Sequence, residues 1–149
     1  MGTMSENEFD TQKMLNNIIK ADDIKGFVEK NITNYNETTF NKYITCLIYK
    51  KGIKKSDIVK DSGLSTPYVY QIISGTKKPK RNKLIQLAFG LGLSYDETQN
   101  MLKLAEIGPL YPRNKRDSII IYAINNNKNI YELDDMLDEI GESTVLEED

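Results

Sequence analysis

Three glycines, Gly52, Gly63 and Gly75, cut the middle of the chain, and each follows a short stretch with apolar residues at helical spacing. A glycine just past a helix takes the left-handed conformation at little steric cost, so it reads as a stop signal. From about Thr38 to Lys50, Phe40, Tyr43, Ile44, Leu47 and Ile48 form one stripe, which Gly52 ends. From about Lys55 to Ser62, Ile58 and Val59 point inward, and Gly63 ends the segment. Ser65 then caps a helix to Ser74 that Val69 and Ile72 anchor, with Gly75 beyond it. Helices this short hold only by packing their apolar faces together, which predicts an all-α fold.

The same signals extend outward. Met14, Leu15, Ile18 and Ile19 predict a helix starting at Asp10, with Asp10 or Thr11 as its cap. Ile24, Phe27 and Val28 predict a second, short one. Residues 1–9 read as a loose tail and residues 31–37 as a polar linker. After the loop Thr76-Lys-Lys-Pro-Lys80, the next segment points Leu84, Ile85, Leu87, Ala88 and Leu91 at the core. Ser94 and Glu97 form a capping box for the following helix. Gly108, Pro109 and Pro112 interrupt the chain, and amphipathic helices follow over about Lys115–Asn125 and Ile130–Ile140. In the second, Ile130, Leu133, Leu137 and Ile140 share a face. Only Ser118 to Ile124 is ambiguous between helix and strand. The division expected is 1–37 for a tail and accessory helices, 38–107 for the central domain, and 108–149 for C-terminal accessory helices.

Several chemistries are excluded. The chain has no histidine and one cysteine, Cys46, so His-based catalysis, an internal disulfide and His or multi-Cys metal sites are ruled out. With no Gly-rich phosphate loop either, no enzyme activity, cofactor or metal is expected. Cys46, beside Ile44 and Leu47, is expected to be a buried structural thiol. The longest apolar run, Ile119 to Ile124, is too short to span a bilayer. The acidic N-terminus lacks a signal-peptide layout, so a cytoplasmic protein without a membrane partner is expected.

The net charge of −2 conceals a segregation. Residues 38–83 carry a net +9, against −3 for 1–37, −2 for 84–112 and −6 for 113–149. A local basic block matters more for nucleic acid than the overall balance. Within it, Gly63 makes the sharp turn, Leu64 plugs the space beneath, and the Ser65 helix turns Thr66, Pro67, Tyr70, Gln71 and Ser74 away from Val69 and Ile72.

On these residues, the stretch 38–93 resembles the lambda-repressor/Cro-like (XRE-type) helix-turn-helix domain of bacterial and phage regulators. Gly63-Leu64-Ser65, Val69, Ile72, Gly75, Lys77, Pro79 and the Leu-rich Leu84–Leu93 carry the likeness. The resemblance implies a five-helix unit with extra N- and C-terminal helices, binding double-stranded DNA as a homodimer and regulating transcription. Lys54 and Lys80 stand where the family commonly has capping hydroxyls, and Lys55 where it commonly has Gln. The base-reading candidates are then Thr66, Pro67, Tyr70 and Gln71. The phosphate-contact candidates are Lys55, Ser74, Lys77, Lys78, Lys80 and Arg81. Gln71 has the donor–acceptor pair that fits adenine, and Thr66 suits a thymine methyl or a phosphate. The alternative is a protein-interaction module, such as an antitoxin or adaptor, working through its acidic C-terminal helices. The neutral, lysine-ringed face of the Ser65 helix favours DNA.

Overall fold

In a computed structural model of the chain, the described residues are 6–30 and 39–146, and they contain nine α-helices and no strand. The chain divides into two compact units, Met1–Glu37 and Thr38–Asp149.

The first unit holds α1 (Glu6–Lys20) and α2 (Ile24–Lys30). Helix α1 begins four residues before the expected Asp10, so residues 6–9 are helix rather than tail; glutamate is a good helix former, and a polar composition does not stop a helix. The rest of the expected tail and the 31–37 linker lie outside the described residues. Asp23 starts α2 by accepting the Gly26 N–H at 2.9 Å. Phe27 is buried, whereas Leu15, Ile18, Ile19, Ile24 and Val28 are exposed.

The second unit holds α3 (Phe40–Lys51), α4 (Lys55–Ser62), α5 (Thr66–Ser74), α6 (Arg81–Leu91), α7 (Tyr95–Leu104), α8 (Lys115–Asn125) and α9 (Ile130–Ile140). Thr39 caps α3, Ser65 caps α5, and Ser94 with Glu97 forms the expected capping box on α7. Lys54 and Lys80 occupy N-cap positions and make no side-chain cap bond. Between α4 and α5, Gly63 has φ 73°, and a Cβ there would lie 2.8 Å from the Leu146 side chain. The positive φ therefore favours glycine at this turn, and a Cβ would also displace the tip of the Leu146 side chain. A second close approach joins α4 to α6: a Cβ on Gly90 would meet the Ile58 carbonyl at 2.8 Å and the Ser62 Cβ at 2.7 Å.

The core does not stop at the expected boundary near residue 107. Ile44, Ile58, Val69, Ile72, Leu84 and Leu87 belong to one apolar cluster with Leu110, Ile120, Ile130, Leu133 and Val145. Each fully buried aliphatic side chain contributes about 1.5–3 kcal/mol, so the C-terminal helices are part of what holds this unit together. Ser118 to Ile124, the ambiguous stretch, is helical, and Ile120, Ala123 and Ile124 are buried. Polar clamps reinforce the joint. The Gln99 amide pairs with both backbone groups of Leu110, at 2.8 and 2.9 Å. Arg116 donates to Asn82 Oδ1 and to the carbonyls of Ser143 and Thr144. The Asp134 carboxylate accepts the N–H groups of Val145 and Leu146.

Candidate nucleic-acid interface

Helix α5 divides into two faces. Val69 and Ile72 have no exposed surface and pack into the core. Thr66, Pro67, Tyr70, Gln71 and Ser74 are exposed. The i, i+3 spacing of the buried pair fixes the helix's rotation, and so brings the four base-reading candidates together on one open surface.

Two side chains outside α5 hold it in place. The Lys55 ammonium lies 4.7 Å from the centroid of the Tyr70 ring, a cation–π contact joining the start of α4 to the open face of α5. At the other end, Asn41 of α3 donates its amide to the carbonyls of Ile72 at 2.8 Å and Ile73 at 3.3 Å. These are last-turn carbonyls of α5, and that of Ile72 also accepts the Gly75 N–H at 3.2 Å. Sequence reasoning missed Asn41 because its only signal was a polar residue beside the inner stripe of α3. Tyr68, by contrast, is half-buried, and burial pushes its hydroxyl pKa upward.

Beyond α5 the chain is tied by Thr76 and Lys77, whose N–H groups both donate to the Gln71 carbonyl, at 3.0 and 3.2 Å. Pro79 is buried, and Lys77, Lys78 and Lys80 are exposed around it. The open neutral face is therefore bracketed along the chain by Lys55 before it and three lysines after it.

One expected phosphate contact, Arg81, is corrected, and another, Ser74, has a local hydrogen bond. Arg81 turns inward: it pairs with Asp117 at 2.8 Å and donates to the carbonyls of Gly108 and Pro109. Its planar guanidinium matches a carboxylate and two carbonyls at once, which lysine cannot do. Asp117 also accepts the Tyr111 N–H, so this pair ties the start of α6 to the joint before α8. Ser74 is exposed, but its hydroxyl lies 3.2 Å from the Gln71 carbonyl and 3.2 Å from the Thr76 hydroxyl. Both are exposed local bonds of a rotatable hydroxyl, which keeps Ser74 among the phosphate-contact candidates.

Cys46 is a further correction, since it is exposed rather than buried. The α3 stripe of Ile44, Leu47 and Ile48 runs on the opposite side of the helix from position 46. Among the described residues, no group of His, Cys, Asp and Glu could hold a metal ion, and no helix is long and apolar enough to cross a membrane. No family model, curated protein or solved structure matches the chain.

Proposed function

We propose that the chain is a sequence-specific double-stranded DNA-binding protein, a transcriptional regulator of the lambda-repressor/Cro-like helix-turn-helix type that acts as a homodimer. The observation carrying this reading is the composition of the α5 surface. It offers Thr66, Pro67, Tyr70 and Gln71, none of them charged, with Lys55 against the Tyr70 ring and Lys77, Lys78 and Lys80 following the helix. A face evolved for a basic or acidic protein partner would carry charge at its centre. A face for the major groove needs donors, acceptors and methyl contacts at the centre and cations at the rim.

In this reading α5 enters the major groove. Gln71 pairs with an adenine edge, Thr66 contacts a thymine methyl, Pro67 gives apolar contact from the first turn, and Tyr70 reaches sugar or a base edge. Lys55, Lys77, Lys78 and Lys80 neutralise phosphates and release counterions. Asn41 and Lys55 set how α5 is presented.

The test is a binding-site selection from random duplexes, followed by titrations over a salt series. Four lysines in each of two subunits neutralise about eight phosphates, so log K should fall against log salt with a slope of about −7. Half-sites should lie about one helical turn, ~34 Å, apart. A slope near zero, or a selection that enriches no sequence, would reject DNA as the ligand and favour the interaction-module reading.

A further inference from the structure

Helices α8 and α9 leave one apolar surface uncovered. Their inward sides bury Ile120, Ala123, Ile124, Ile130, Leu133 and Leu137. Elsewhere on the pair, Ile119 and Tyr122 of α8 and Met136 and Ile140 of α9 line an open groove of about 570 Å³, together with Ser118 and Glu139. Tyr122 is 54% exposed and Ile140 48%. A concavity of this size accepts several apolar side chains. Contiguous exposed apolar surface of this kind marks an interaction site more often than scattered residues do.

The charge beside the groove selects the occupant. Asp135 and Glu139 are exposed and four residues apart on α9, so they form one strip next to Met136 and Ile140. Asp138, also exposed, continues the acidic surface. Among the described residues, the ion pairs found on these two helices are Arg81–Asp117 and those of Glu132 and Glu142, and none involves Asp135, Asp138 or Glu139. Lys128 and Lys115 stand 4.0 Å from the Glu132 and Glu142 carboxylates. A second copy of the chain seated here would bring the same acidic strip to the seam twice, and like charges facing each other are unfavourable. A helix with an apolar face and a basic rim satisfies both features at once, as in the helix-in-groove mode of recognition.

We propose that the α8–α9 groove docks a basic amphipathic helix of a partner protein, with apolar anchors at i, i+3 or i+4 and i+7 against Ile119, Tyr122, Met136 and Ile140. Lysines or arginines flanking those anchors pair with Asp135 and Glu139. This site is independent of the α5 surface, so it stands or falls apart from the DNA reading.

The probes are two synthetic amphipathic helices of about four turns with leucine anchors, one with lysine at every other position and one with glutamate. They are titrated against the full chain by fluorescence anisotropy at physiological salt. The lysine helix should bind saturably, one to one, and the glutamate helix should not bind. Tyr122→Ser and Ile140→Ser should each weaken binding about tenfold, as truncation of an anchor does. Both side chains are about half exposed, so the variants should keep the wild-type circular dichroism, and either one suffices if the other fails to fold. Asp135→Asn with Glu139→Gln should remove most of the salt dependence. The proposal is overturned by non-saturating binding, by binding that ignores the groove variants, or by equal binding of the two helices. It is also overturned if sedimentation finds a dimer that Ile140→Ser dissolves, because a second copy would then be the occupant.

Discussion

Lys80 and Arg81 are neighbours of the same charge with opposite fates. Lys80 is exposed at the N-cap of α6. Arg81 begins the same helix and holds Asp117, Gly108 and Pro109 in place. The contrast extends to the segments on either side. From Thr76 to Lys80, the backbone is tied to α5 and the lysines are left to solvent. From Gly108 to Asp117, the backbone is tied by side chains that reach across from α6 and α7. A cation whose partners are its own chain stabilises the fold. A cation that meets water or, like Lys55, only an exposed ring remains available to a ligand. Net charge counts the two alike, which is why a local sum of +9 over residues 38–83 overstates the phosphate-binding surface.

The largest expected effect tests this contrast directly. Arg81→Ala leaves Asp117, 9% exposed at its side chain, without its cation. Breaking a buried pair from one side costs about 3–5 kcal/mol. Because Arg81 is 30% exposed, about 2–3 kcal/mol is the better expectation. Lys80→Ala should change stability by less than about 0.5 kcal/mol. Urea denaturation of the two variants is the measurement. Equal destabilisation would erase the distinction between the neighbours.

The next effect separates reading from holding. Gln71→Ala removes a donor and an acceptor but no charge. Specific binding should fall by about 1–3 kcal/mol, with the salt slope unchanged. Lys78→Ala should weaken selected and scrambled duplexes alike and flatten the slope by about 1. Equal losses on both duplexes for Gln71→Ala would mean that α5 adds affinity without reading sequence.

Helix ends were legible in the sequence wherever one residue both signals and performs the cap. Ser65, Gly63, Gly75 and the Ser94–Glu97 pair are of this kind, since their partners lie within a turn or two. The exposed face of α5 was legible for the same reason, through the spacing of Val69 and Ile72. What the sequence did not show depends on distant partners. Arg81 meets Asp117 across 36 positions, and Asn41 meets Ile72 across 31. The continuity of the core through Leu110 and Ile120 also depends on tertiary packing, which overrides the β-branched run Ile119–Ile121 that made this stretch ambiguous. Cys46 differs from these. Its exposure follows from its angle around α3, and adjacency to Ile44 and Leu47 in sequence was the wrong guide.

Lys51 supplies the smallest and sharpest version of the same contrast. It belongs to the basic block, yet its ammonium lies 3.0 Å from Glu97, the residue that completes the α7 capping box. Burial pushes the Glu97 carboxyl upward, but the Ser94 backbone N–H and the Lys51 ammonium outweigh it, and the net pKa lies below the ordinary value near 4.5. A carboxyl whose pKa is lowered by folding adds stability that is fully present above its unfolded pKa. That stability is lost as pH falls through the lower, folded value. Lys51→Met should therefore cost up to about 1 kcal/mol at neutral pH, as partly exposed pairs do. The gap between wild type and variant should close as pH is lowered below about 4.5, where protonated Glu97 no longer attracts the ammonium. The DNA salt slope should be unaffected, because this lysine already has its partner. Thermal melts from neutral to acidic pH measure the first expectation, and duplex titrations the second. A gap that stays constant with pH would show that Lys51 acts through its alkyl chain, and a flattened salt slope would return it to the cations facing DNA.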